Sequence, residues 1–525
     1  EMSRGLGDVY KRQTYGEVRS DNAYKGGGGV GDLNEVHRME TFDMDATNGF
    51  LDSKWYHLYC SVQRCNSALR VLNAATDEQV NGRVSRIAEM KVLRAHYYFE
   101  LSRLFNKIPY FDENVEISQY PDIPNNEFTR DEILSMLAKE MLDAAEQLPA
   151  SQPEVGRIHK YIALAYAAKI KLYQAYQQDE ITHAVTSINK ELLREVVSLC
   201  DQVTASNRYG LLDDFQGLDL VTNENGKESV FAIQYSMNDG TESAGRINWS
   251  NLLNSPGGGS PYGGDGFFLP SQDLINAYQT DANGLPDFNY QSKSDYSWAV
   301  LNNGVYTLQN TTPNVDPRLD FVVGRPTITW KTYPDKPCEG WVRDKDTYGY
   351  NCAKRFWVSP ESSDMFNGWP WGASQLNWQI IRYADILLWK AEALIELNEG
   401  NGLETARDLI NQIRNRARNS AYVKDFNDHS KYAANYLVNP YPADVWNQDY
   451  ARQALRWETR LEKALEGERF FDLVRWGIVE TTMNKYITAE SDNRIYYANA
   501  HFTGGKDEYY PVPNNQYGFS GGKYV

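Results

Sequence analysis

The chain has little cysteine, no surplus of positive charge and no long apolar run, and each shortage removes a class of protein. Five cysteines (Cys60, Cys65, Cys200, Cys338, Cys352) scattered over 525 residues are too few for a disulfide framework, and no pair has zinc-site spacing. Cys338 and Cys352 are spaced to close a loop, with buried or free thiols as the equal alternative. Lys and Arg number 53 against 70 Asp and Glu, a formal net charge of −17. A nucleic-acid binder needs the opposite balance, because it must displace counterions from phosphates. The most apolar stretches, Tyr161–Ala168 and Ile386–Trp389, are cut by Lys169 and Lys390, far short of the ~18–20 residues of a membrane span. No secretory signal opens the sequence.

Aromatic residues are abundant instead: 13 Trp, 36 Tyr and 19 Phe make up 13% of the chain. Tyr and Trp carry a polar group as well as an apolar ring, which suits half-wet surfaces and binding grooves. Seven of the 13 Trp fall between Trp298 and Trp378.

Helical periodicity predicts paired helices at Trp55–Ala74, Asp77–Phe105, Gly156–Tyr176 and Leu192–Thr204, with a capping box at Thr129 and Glu132 opening another that ends near Leu148. Between Tyr209 and Asn377 the period fades into Gly, Pro, Asn, Asp and aromatics, and a loop-rich stretch of that length inside a folded chain usually carries function. Helix returns at Ile381, continues at Leu403–Arg418, and closes with a block over Asn447–Trp476. The expected fold is therefore mainly α, a tetratricopeptide-like superhelix with a large loop-rich, aromatic-rich insertion. The expected divisions are a non-native leader at 1–13, a helical-repeat part at 14–208, a ligand-binding subdomain at 209–377 and a helical part at 378–525.

Scattered signatures in this order resemble those of the SusD/RagB outer-membrane nutrient-binding lipoproteins. They run from Trp55-Tyr56 with Gln63-Arg64-Cys65-Asn66, through Leu93-Arg94-Ala95-His96-Tyr97-Tyr98-Phe99 closing at Ile108-Pro109-Tyr110, to Gly156-Arg157-Ile158. Leu269-Pro270-Ser271-Gln272-Asp273-Leu274, Asp316-Pro317-Arg318-Leu319 and Ile381-Arg382-Tyr383-Ala384-Asp385 follow. Glu458 to Glu462, Glu466-Gly467, Arg469 to Leu473 and Tyr510-Pro511-Val512-Pro513 complete the series. The resemblance implies a surface lipoprotein of a Gram-negative outer membrane that binds oligosaccharides without catalysis, uses no cofactor or metal, and hands its ligand to a SusC-like TonB-dependent transporter. It also implies an N-terminal lipid anchor, which this sequence does not contain. A peptide ligand, as in RagB-like members, is the alternative; a glycoside hydrolase is the third reading.

Enzyme signatures are thin. Gly518 to Gly522 matches G-x-S-x-G with only three residues after it, so no acid and histidine can follow. Asp43, Asp45 and Thr47 mimic an EF-hand start, but the glycine and the closing glutamate are misplaced. The run Gly26–Gly29 lacks the Walker lysine. Glu458, Glu462 and Glu466 lie at i, i+4 and i+8 and must repel unless cations intervene; Arg414, Arg416, Arg418 and Arg469 are the expected partners of a structural network. Sugar rings stack their C–H faces on aromatics and need polar partners for their hydroxyls. Trp298, Trp330, Tyr333, Trp341, Trp369 and Trp371 sit among such residues and are the expected ligand contacts. Trp357 and Trp378 are expected in the interior. By region, the resemblance adds Asp21, Tyr24, Asp45 and Asn48.

Overall fold

The structure is a computed structural model and describes residues 12–241, 245–249, 253, 255–333 and 339–525. Cys338, and with it any pairing to Cys352, lies outside the described residues. Eight helices build the scaffold: α1 Gly49–Ala74, α2 Arg83–Phe105, α3 Arg130–Gln147, α4 Lys160–Ala175, α5 Lys190–Ala205, α6 Tyr383–Leu397, α7 Gly402–Asn419 and α8 Gln448–Glu462. Each of α1 to α4 packs on the next, and α5 packs on α6 across the insertion, so the two helical parts form one superhelix. Ala163, Ala165, Ala167 and Ala168 of α4 are fully buried, and their small side chains let α3, α5 and α6 approach closely.

Local chemistry explains the helix ends. Thr129 Oγ1 accepts from Glu132 N at 3.2 Å while Glu132 Oε2 accepts from Thr129 N at 2.8 Å, the reciprocal box read in the sequence. Helix α2 starts at Arg83 rather than Asp77, because Gly82 takes a left-handed φ of 67°. The block expected over Asn447–Trp476 is broken: α8 ends at Glu462, and Arg469–Arg475 forms a separate turn of helix. Leu465 and Gly467 have φ of 67° and 86°, and the turn between them points Glu466 into the arginines below.

The ends of the insertion are held together by an antiparallel pair, β2 Ser229–Ile233 against β6 Trp378–Arg382. A second pair joins the N-terminal β1 Ala23–Gly26 to β3 Phe267–Pro270. A hairpin, β4 Trp298–Asn302 with β5 Val305–Gln309, projects farther along.

Between scaffold and insertion lies a buried lattice of ions. Arg318 donates to Asp316 at 2.7 Å, Glu458 at 2.6 Å and Glu462 at 3.1 Å. Arg382 donates to Glu228 at 2.8 Å and Glu462 at 2.7 Å and pairs with Glu466 at 2.9 Å. Arg414 reaches Glu458 at 3.0 Å, and Arg416 reaches Glu228 and Glu462. The i, i+4, i+8 carboxylates of α8 and its extension are thus neutralised by interleaved guanidiniums. Burial alone would raise Glu462; Arg416, Arg382 and Arg318 instead hold it at about 2. Arg469, expected in this network, pairs with Asp21 instead.

Candidate functional site

The tryptophans of the insertion divide into an interior group and an exposed group. Tyr262, from the glycine-rich loop, is the centre of the first: its ring lies 6.0 Å from Trp330, 6.3 Å from Trp341 and 5.9 Å from Trp357. Its hydroxyl accepts from Trp330 Nε1 at 2.9 Å and donates to the Val358 carbonyl at 2.7 Å. Trp330 and Trp341 meet edge to face at 4.9 Å and are each 1% exposed. Expected as sugar platforms, both are instead packed in the interior around Tyr262, and burial removes their faces from a ligand. Trp357 and Trp378 are interior as well. Tyr333 is half-buried, its ring 6.4 Å from Trp341.

The second group rides on a hairpin outside this core. Phe366 N donates to the Ala373 carbonyl at 2.8 Å, and Met365 bridges Ser374. The turn so formed carries Trp369, 67% exposed, and Trp371, 55% exposed. Glycine is required at its base: Gly372 has φ 74°, and a Cβ at either Gly372 or Gly264 would run into Ser255. That close approach presses the glycine-rich loop against the hairpin and brings Gly263 up to Trp371. Trp249 completes the group, its ring 5.6 Å from Trp369 at an interplanar angle of 69°. Asn248 fixes its position, with backbone N to the Ser374 carbonyl at 2.8 Å and Nδ2 to the Leu376 carbonyl at 2.9 Å. Sequence reading missed Trp249, which stands alone outside the tryptophan-dense stretch; its polar neighbours Asn248 and Ser250 were the available signal.

Trp298 is also exposed, at 45%, on β4. Among the described residues its ring contacts no other aromatic ring, and β4 is a different element from the hairpin that carries Trp369 and Trp371.

The N-terminal candidates are mostly structural. Asp21 is buried between Arg469, at 2.8 Å, and Arg460, at 3.3 Å. Burial would raise its carboxyl, but Arg460 and Arg469 bring it to about 2. Tyr24 is buried, donating to Glu490 at 2.6 Å. Asn48 is buried as the N-cap of α1, accepting from Phe50 N at 3.0 Å and donating to the Glu35 carbonyl at 3.0 Å. With no exposed polar atom to offer, these three are withdrawn as direct ligand contacts. Asp45 is exposed but engaged by Arg38 and Thr47, and it lines a different cavity of about 890 Å³ against the C-terminal residues Tyr509–Val512.

Two carboxylates stand near the base of the hairpin. Glu224 accepts from Asn377 N at 2.6 Å, and burial together with the charge of Asp364 pushes it up to about 7. Asp364 accepts from Gln375 at 2.7 Å and Ser362 at 3.0 Å. Among the described residues no His, Cys, Asp and Glu cluster is arranged to hold a metal ion.

Known proteins share this arrangement of scaffold and insertion. The SusD family model matches residues 227–518, and a model described as "Starch-binding associating with outer membrane" matches residues 4–172. A SusD-like protein of Bacteroides ovatus is 22% identical over 457 residues, covering 83% of this chain and 67% of its own length. A SusD superfamily structure from Bacteroides vulgatus superposes with a TM-score of 0.69 at 20% identity, over 99% of this chain and 97% of the other. Surface glycan-binding protein A from Bacteroides fluxus superposes with a TM-score of 0.67 at 20% identity, over 98% and 95%. With one model spanning more than half of the sequence and the fold shared end to end, the chain belongs to the SusD family.

Proposed function

We propose that the protein binds oligosaccharides at the cell surface without catalysis and delivers them to a SusC-like TonB-dependent transporter of the outer membrane, to which a lipid anchor holds it close. The observation that carries the reading is the exposed pair Trp369 and Trp371, with half-buried Trp249 beside Trp369: large apolar faces kept in water on a hairpin fixed by the core beneath it. Monomeric proteins expose such surface mainly where something binds, and rings that join an apolar face to an N–H match the alternating C–H and hydroxyl surface of a sugar. Related proteins named for glycan binding support the same reading.

A panel of glycans and peptides, with product analysis on every hit, tests it. Glycan binding that disappears in the Trp369→Ala/Trp371→Ala double variant is expected. Binding of peptides alone selects the RagB-like reading. Glu224, a carboxyl that burial and Asp364 push up to about 7, favours hydrolysis as the second reading; release of shorter sugars that stops in Glu224→Gln would establish it and end the non-catalytic one.

A further inference from the structure

The base of the tryptophan hairpin opens into a cavity of about 580 Å³, whose lining includes Ser359, Ser362 and Asp364 from the hairpin strand and Trp357 from the aromatic core. Its inner wall is unusual in a chain of net charge −17: Lys331, Lys354 and Arg355 converge there around a single buried carboxylate, Asp219. Lys331 Nζ donates to Asp219 Oδ2 at 3.1 Å and Arg355 Nε to Asp219 Oδ1 at 3.1 Å, while Lys354 Nζ donates to the Thr329 carbonyl at 2.7 Å. Arg355 also meets Glu466 of the ion lattice at 3.3 Å. An ammonium has three N–H bonds, and Asp219 takes one from Lys331. Lys331 is held inward by a left-handed backbone, φ 47°, a conformation that persists in a lysine only when its surroundings impose it. The acidic residues Glu361 and Asp364 lie toward solvent, and Asp364 is already occupied by Ser362 and Gln375.

We propose that this cavity receives the anionic group of an acidic glycan, a uronate carboxylate or a sulfate ester, whose neighbouring rings lie on Trp369 and Trp371. The inference rests on the glycan-binding reading and narrows its substrate class. Screening makes it compatible with an acidic protein: with a Debye length of about 8 Å at physiological salt, a group on the inner wall feels Lys331, Lys354, Arg355 and Asp219 far more than the distant surface. Burial lowers the Lys331 ammonium from its ordinary value despite Asp219, so a second anion there offsets a cost already present in the fold.

The test compares each acidic oligosaccharide with its own neutral form: oligogalacturonate against the carboxyl-reduced oligomer, and a sulfated galactan oligomer against the desulfated one, by calorimetry at fixed salt. Roughly tenfold or tighter binding of at least one acidic form is expected, the gain of one or more charge-assisted hydrogen bonds, and the arm that shows it names the anion. In Lys331→Gln the preference disappears while affinity for the neutral form is kept. Equal or tighter binding of both neutral forms overturns the inference and leaves glycan binding standing. Failure of every glycan in the panel overturns the glycan-binding reading and this inference together. Should Lys331→Gln not fold, the ratio measured on the unmodified protein decides by itself.

Discussion

Trp330 and Trp369 belong to one segment, have similarly polar sequence neighbours and end in opposite environments, 1% and 67% exposed. The difference arises far away in sequence. Tyr262 supplies Trp330 with a hydrogen-bond acceptor and three tryptophans with a common ring to pack on. Among the described residues the aromatic ring beside Trp369 is the edge of Trp249. One residue type thus serves as core where Tyr262 reaches it and as exposed surface where a hairpin carries it outward.

The sharpest way to break the comparison is to truncate the interior member. Trp330→Ala is expected to cost about 3–5 kcal/mol of stability, read as a large drop in melting temperature, with glycan binding lost through unfolding. Arg318→Met attacks the anchor of the insertion instead. It leaves Asp316, Glu458 and Glu462 without their shared cation, at a cost of about 3–5 kcal/mol. The same lattice predicts a pH window. Glu462 sits at about 2 when folded against an ordinary 4.5, so its stabilisation is complete above 4.5 and is lost as pH falls towards 2. Glu490, pushed up to about 7 mainly by burial, has the opposite sign: its contribution is present below 4.5 and is lost as pH rises through 7. Melting curves between pH 2 and 8 check both, and Glu490→Gln is expected to reduce the upper limb, to which Glu17 and Glu224, also pushed up to about 7, contribute, and to leave the lower limb unchanged.

Tyr262→Phe is a milder cut. It strands the Trp330 N–H in the interior for about 1–3 kcal/mol, measured by denaturant unfolding, and leaves the exposed rings in place. The Trp369→Ala/Trp371→Ala variant should alter stability by less than about 0.5 kcal/mol, as surface substitutions do, yet weaken glycan binding tenfold or more. A melting temperature that falls as far as in Trp330→Ala would show the outer pair to be core after all. Trp298→Ala is expected to change neither stability nor the affinity measured at the hairpin; a loss of binding there would join the two surfaces into one.

The helices were legible because apolar residues recur every three to four positions, as at Ala384, Leu387, Leu388 and Ala391, even though α6 is buried on nearly every side. The α8 carboxylates announced a need for cations by their spacing, and Arg414 and Arg416 were close enough in sequence to be named. Arg318 and Arg382 were visible as motif residues, but their meeting with Glu458 and Glu462 depends on the folded path of the insertion. The fate of each tryptophan was not readable locally, since both have polar or small neighbours, Thr329, Lys331 and Thr332 beside Trp330 and Asn367 and Gly368 beside Trp369. Asp21 and Tyr24 failed as surface candidates for the same reason, whereas Asn48 is taken up locally as the N-cap of α1. Arg460, Arg469 and Glu490, which bury the first two, come from the other end of the chain.

The β2–β6 clasp has a further consequence. Because Ile233 and Trp378 are neighbours across one ladder, the segment between them begins and ends at one place, and it is tied back to the rest of the chain at the β1–β3 pair and at Arg318. Lengthening or exchanging that material changes the closure entropy only logarithmically, by about 0.6 kcal/mol per doubling. Changes in loop length are therefore tolerated best between these ties, so long as β3, Arg318 and Arg355 keep their places.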